Sequence, residues 1–258
     1  MHRVTVSVTQ EINEELLMLG VIAVPDSLGL AIFVIDESDR RWPDFQRWLA
    51  DRHLRSLVST EFTADEIAHA QWADLTPDWH YGYPQPVDDY KAVTYDCTDH
   101  CEQCGIGAIQ CAPFRLKGEP KWGRRSIFQL NWVFDEYFVT PNLWETILNP
   151  LGVECRSVLN TKGKELSTVV QVVVREEVGI THETLSSTRC ALCGRIKYLP
   201  HRRGYFPSLT KYPSAPIAKT REYFGSGASA YKSIVVSQAV ISAFIAHRVR
   251  GASCWPIA

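Results

Sequence analysis

Two short stretches of this chain have the residue types and spacing to bind a metal. Cys101-Glu102-Gln103-Cys104-Gly105 and Cys190-Ala191-Leu192-Cys193-Gly194 are both Cys-x-x-Cys followed by glycine. Two intervening residues let a tight turn aim both sulfurs at one ion. Two such turns supply the four thiolates of a closed tetrahedral zinc site. The glycine permits the positive φ that such turns often require. The reading is one structural Zn2+ per chain, held by Cys101, Cys104, Cys190 and Cys193. Four thiolates leave no open coordination position for water or substrate, so the site is expected to staple the fold and not to catalyse. Closing so long a loop costs roughly 4 kcal/mol. Structural zinc binding contributes on the order of 10 kcal/mol or more, which can cover it.

Other readings of the eight cysteines stay open at this level. Cys97, His100 or Cys111 could serve as alternative ligands at the first pair. A thioredoxin-like redox role needs a strand before the motif and a long helix after it, and neither pair has that setting. Cys155 and Cys254 lie in strand-like segments and read as buried free thiols.

A second candidate is the aromatic loop Trp79-His80-Tyr81-Gly82-Tyr83, flanked by prolines, which suggests ring packing or a pocket using His80. Asp135-Glu136 could offer paired carboxylates or simply solvate a strand end. Gly225-Ser226-Gly227 could face an anion through its N–H groups, and otherwise is a turn. Basic residues gather after each cysteine pair: Arg115, Lys117, Lys121, Arg124 and Arg125, then Arg195, Lys197, Arg202 and Arg203. Interleaved with Phe114, Trp122, Tyr198 and Tyr205, they are the one feature that favours nucleic acid. The formal net charge of −2 argues against a chain that is basic as a whole.

The elements that must position these residues suggest an α+β protein, with mixed sheets and flanking helices held by a split four-cysteine zinc ribbon. The chain's 258 residues suffice for one large domain or two small ones. The reading divides it into an N-terminal region, 1–95, and a cysteine-paired region, 96–258, with 105–189 as an inserted subdomain. Strands are expected at Val4–Val8, Leu30–Ile35 (buried), Ser126–Trp132, Ser233–Val236 and Ala252–Ile257. Cys155–Leu159 and Leu166–Val174 should form a hairpin. Helices should run from a Thr9 cap to about Leu19, from Pro43, from the capping box Thr63–Glu66, and from Thr140-Pro141. A last helix should run from a Ser237 cap to about Arg250, with Gly251 as its stop. Residues 74–95 read as an ordered loop. Neither a secretion signal nor an apolar run of about 18 residues appears, so a cytoplasmic location without membrane contact is expected.

The doubled Cys-x-x-Cys-Gly resembles the bacterial double-CXXCG motif proteins, over roughly residues 97–258. The ending is similar as well: Glu222-Tyr223-Phe224-Gly225-Ser226-Gly227, the junction at Ile234–Ser237, then Gly251 to Pro256. The resemblance implies an immunity-type protein that binds and neutralises a cognate toxin, with Cys101, Cys104, Cys190 and Cys193 as metal ligands. Trp79–Pro86 with Ser126–Phe138 also looks like bacterial proteins with no assigned activity. Two further functions remain beside this reading: a zinc-ribbon nucleic-acid binder, and an enzyme with a pocket near His80.

Overall fold

A computed structural model of the chain describes every residue except 8–9, 22–23, 26–28, 37–38 and 53–55. It divides into two compact units: Met1–Ala64 with Arg202–Tyr205, and Asp65–His201 with Phe206–Ala258. Among the described residues it is an α+β fold with mixed sheets and six α-helices.

The first unit is a four-stranded sheet in the order β2-β3-β1-β4. Its strands are β1 (His2–Ser7), β2 (Val24–Pro25), β3 (Leu30–Ile35) and β4 (Ser56–Thr60). The helices are α1 (Gln10–Met18) and α2 (Trp42–Asp51), the latter with Pro43 in its first turn as expected. In β3, Ala31, Phe33 and Ile35 are buried, while Ile32 and Val34 face solvent. The strand read as buried is therefore half-buried, because helices cover one face only. Leu16, Phe45 and Leu49 join Val4, Val6 and Phe33 in that core. The expected Thr9 cap lies outside the described residues.

The second unit carries the cysteines. After α3 (Ala64–His69) comes β5 (Trp72–Pro77), which lies in the N-terminal region of the sequence-based division. It pairs with two C-terminal strands, β17 (Tyr231–Ser237) and β18 (Ala252–Pro256). The residues read as the start of a loop at 74 are thus a sheet strand. Buried Asp74 lies in it, hydrogen-bonded to Ser233, and burial pushes its carboxyl up to about 7. The seven-stranded sheet is completed by β13 (Glu177–Val178), β14 (Ser187–Arg189), β15 (Ile196–Tyr198) and β16 (Ile217–Phe224).

A five-stranded sheet runs β8-β11-β12-β10-β9. These are β8 (Arg115–Leu116), β9 (Ile127–Leu130), β10 (Val133–Val139), β11 (Glu154–Asn160) and β12 (Glu165–Val173). β11 and β12 form the expected hairpin, whose turn is tied by Asn160 Oδ1 accepting from the N–H groups of Lys162 and Lys164. Thr140 caps α5 (Pro141–Leu143) by accepting from Leu143 N–H, and the chain continues as a π turn over Trp144–Leu148. The two sheets share a core that includes Leu75, Val139, Val172 and Val236, closed by Ile241 and Phe244 of α6 (Gln238–Ala246). The short ribbon β6 (Tyr95–Asp96) and β7 (Ile109–Gln110) brackets the first cysteine pair, and α4 (Tyr90–Thr94) precedes it.

Two local expectations differ from the structure. Ser237 stands at the N-cap of α6 with extended backbone, but its hydroxyl makes no cap bond. The helix ends at Ala246, before Gly251. That glycine instead has φ +114°, and a Cβ there would sit 2.0 Å from the Ile127 carbonyl oxygen. It is a close-approach residue between β18 and β9, not a helix stop.

Candidate metal centre

Each cysteine pair folds as the same hydrogen-bonded turn. Gly105 N–H donates to Cys101 O at 2.7 Å, and Cys101 N–H to Ile106 O at 2.9 Å. The second pair repeats this: Gly194 N–H to Cys190 O at 2.9 Å, and Cys190 N–H to Arg195 O at 2.9 Å. The glycine closes each turn with φ of +81° and +74°, a region that L side chains rarely adopt.

The two turns meet. Cys101 Sγ lies 3.8 Å from Cys190 Sγ, and Cys104 Sγ lies 3.6 Å from Cys193 Sγ. All four sulfurs lie within 4.8 Å of one another. A tetrahedral ion with metal–sulfur bonds of about 2.3 Å has sulfur–sulfur edges of about 3.8 Å. The spacing therefore suits one ion, and it is far beyond the roughly 2.05 Å of a disulfide. Among the described residues this is the one group of ligating side chains with such convergence. Cys97, His100 and Cys111 do not join it, and the Cys111 thiol turns to the Thr94 carbonyl.

Electrostatics around the sulfurs are uneven. Backbone N–H groups of Cys193 and Leu192 pull the Cys190 thiol down to about 7. Burial pushes Cys104 up to about 12, against the pull of the Ile106 N–H. A bound dication would draw all four into the thiolate form.

Two basic side chains lace the turns together. Lys197 is buried, and its ammonium donates to Cys104 O at 2.8 Å, Gly227 O at 2.7 Å and Ser229 O at 2.8 Å. Those three bonds use all three ammonium protons. Arg195 donates to Asp99 O at 2.7 Å and Ile106 O at 3.0 Å, and pairs with the Asp99 carboxylate at 2.7 Å. Burial works against its charge, but Asp99 and the nearby Cys193 and Cys104 outweigh this and raise its pKa. Both cations also oppose the net negative charge that four thiolates and one dication carry. The Gly225-Ser226-Gly227 segment is a turn that presents the Gly227 carbonyl to Lys197, the opposite of an anion cradle. The residues just after it pack so tightly on the first pair that a Cβ at Gly105 would lie 2.3 Å from Ala228 O.

The remaining sequence candidates fall in different settings. Lys197 and Arg195 serve the turns. Arg202 and Arg203 belong to the first unit, where Arg202 O accepts from Thr60 N–H and Arg203 donates to Val58 O. Lys117, Lys121, Arg124 and Arg125 are exposed in the second unit, Arg115 half-buried, with Arg125 stacked 4.9 Å over Trp79. In the aromatic loop, Trp79 and Tyr81 pack on Phe128 at 5.3 Å and 5.4 Å. Tyr83 rests on Trp132 at 4.5 Å. Tyr81 and Tyr83 line a cavity of 140 Å3, but His80 is not part of its wall. His80 is exposed, partial burial lowers its pKa, and among the described residues it has no carboxylate partner. The roles of Arg195 and Lys197 escaped sequence reading. Their one signal is position, since Arg195 follows the second glycine directly and Lys197 comes two residues later.

No protein-family model matches this chain, and no match to a curated protein was found. No helix among the described residues is long and apolar enough to cross a membrane.

Proposed function

We propose that this protein is a zinc-stapled interaction protein that binds another protein, and that its partner class is the one the double-CXXCG resemblance implies, a toxin held by an immunity protein. The observation that carries the metal half is the closed set of four converging sulfurs, whose edges suit tetrahedral zinc. A closed thiolate set leaves no seat for substrate, which favours a structural ion over a catalytic one.

Support for a protein partner comes from the second turn. Leu192, between its two cysteines, is 73% exposed, and Ile196 and Leu199 further along the same segment are also exposed. An apolar tip on a rigid staple suits protein contact. The nucleic-acid reading has less support, because Arg195 and Lys197 are held by carbonyls of their own chain.

Two measurements test the two halves. Metal analysis of the purified chain should give about one zinc per chain, and a metal-free preparation would end the zinc reading. Expression of the chain should rescue cells from the toxin encoded beside its gene. Absence of a toxin-like neighbour, or rescue undiminished by Leu192→Asp, would end the partner reading.

A further inference from the structure

The second unit holds a larger cavity, lined by none of the four cysteines, that the staple does not explain. It has a volume of 370 Å3 and opens between the two sheets. That is within the usual size range of small-molecule sites, roughly 300–1,000 Å3. Its floor is a buried polar chain. The Gln110 and Gln171 side-chain amides exchange hydrogen bonds at 2.9 Å and 2.7 Å, and Gln171 also donates to Glu136 at 2.9 Å. Glu136 in turn pairs with part-buried Lys219. Groups of this kind are costly to bury, and here they are fully partnered, which makes the floor rigid.

The charges on the wall decide what fits. Most are neutralised within the chain: Glu136 by Lys219, Glu177 by Lys232, and Arg175 by Glu154. Two make no ion pair of their own: among the described residues neither Asp135 nor Arg156 has one, and both line the cavity. The Lys219 ammonium feels Asp135 as well as Glu136, so two carboxylates share one cation and that wall keeps an excess negative charge. Their placement follows from the sheet. Arg156 of β11 lies across from Gln171 of β12, and Phe138 of β10 lies across from Gln171 on its other side. The strand carrying Asp135 is thus about 10 Å, two strand spacings, from the strand carrying Arg156. The pairing of β10 with β9 shifts register between Val133 and Phe138. That irregularity lets the consecutive residues Asp135 and Glu136 both reach one cavity, which regular alternation would forbid.

From this arrangement we infer that the cavity binds a small zwitterion of free-amino-acid size, with its carboxylate on Arg156, its ammonium on Asp135, and its body over the amides of Gln110 and Gln171. An anion alone would leave the excess negative charge of Asp135 and Glu136 over Lys219 unmatched. A cation alone would leave Arg156 in the same position. A ligand carrying both charges satisfies both walls, and guanidinium–carboxylate pairing supplies directional contact. The inference does not depend on the partner reading. It touches the staple only through Tyr223, which lines the cavity and packs against the cysteine cluster.

The test is calorimetric titration of the full, metal-replete chain with each standard L-amino acid. For the tightest ligand, the analogue lacking the amine and the analogue lacking the carboxylate are titrated next. Saturable binding in the millimolar range or tighter is expected, and each analogue should bind at least about tenfold more weakly, a 1.4 kcal/mol difference. Asp135→Asn and Arg156→Gln should each show a similar loss, while exposed Lys117→Gln should show none. The analogue arm uses the unaltered chain, so it stands even where a variant fails to fold. No binding of any amino acid at about 10 mM would overturn the inference. So would analogues that bind as well as their parent, or folded variants of both residues that keep full affinity.

Discussion

The two cysteine turns share one sequence pattern and one hydrogen-bond pattern, yet they sit in different surroundings. The first is enclosed: Gly105 abuts the 228–230 backbone, Gly107 abuts Asp99, and Lys197 closes over the Cys104 carbonyl. The second is open: Gly194 has no atom within 4 Å of a Cβ position, and Leu192 stands in solvent. The difference teaches that one motif can be buried support on one side and presented surface on the other. Equal chemistry at the sulfurs does not mean equal tolerance around them.

The largest expected effect ignores the asymmetry. Cys101→Ser and Cys190→Ser should each abolish stoichiometric zinc and destabilise the second unit by several kcal/mol, on the order of a lost structural metal site. Metal analysis with chemical denaturation checks this, and a variant that keeps both metal and stability would break the shared-site geometry. The glycines then separate the turns. Gly105→Ala should cost about 3 kcal/mol, because positive-φ strain adds to a clash with backbone. Gly194→Ala should cost only about 1 kcal/mol, from φ alone. Equal costs in denaturant unfolding would remove the contrast.

Lys197→Met should cost about 2 kcal/mol, since it strands the buried Cys104 carbonyl and removes the partner of the part-buried Gly227 and Ser229 carbonyls. The solvent-exposed Lys117→Met should change unfolding by less than about 0.5 kcal/mol. Leu192→Ser should leave stability within about the same margin while weakening binding to the proposed partner, as pull-down against a toxin encoded beside the gene would show. The smallest effect is kinetic. In chelated protein near neutral pH, alkylation should mark Cys190 and Cys193 before Cys104. Cys190 is then held near 7 and substantially thiolate, whereas Cys104, near 12, stays protonated. Mass mapping that finds Cys104 modified first would reverse the comparison.

Local signals carried much of the fold. The continuous apolar run Leu30–Ile35 marked β3 as a strand, Pro43 opened α2, and Thr140 capped α5, because each works through neighbours a few residues away. β5 was harder to read. Trp72 to Leu75 are all buried, so no alternation marks the strand, and Asp74 interrupts its apolar run. Glu136 was noticed as one of two adjacent carboxylates, but its partners Gln171 and Lys219 come from other strands.

By itself, the sequence determined the shape of each turn, since two residues between cysteines and a glycine after them are local constraints. Tertiary structure decided which four sulfurs converge, leaving out Cys97, His100 and Cys111, and what surrounds them. Whether Lys197 meets solvent or three carbonyls, and whether Asp135 and Arg156 share a cavity, depends on strand pairing between distant segments. Electrostatic fate follows burial and partners, and those exist only once the sheets have met.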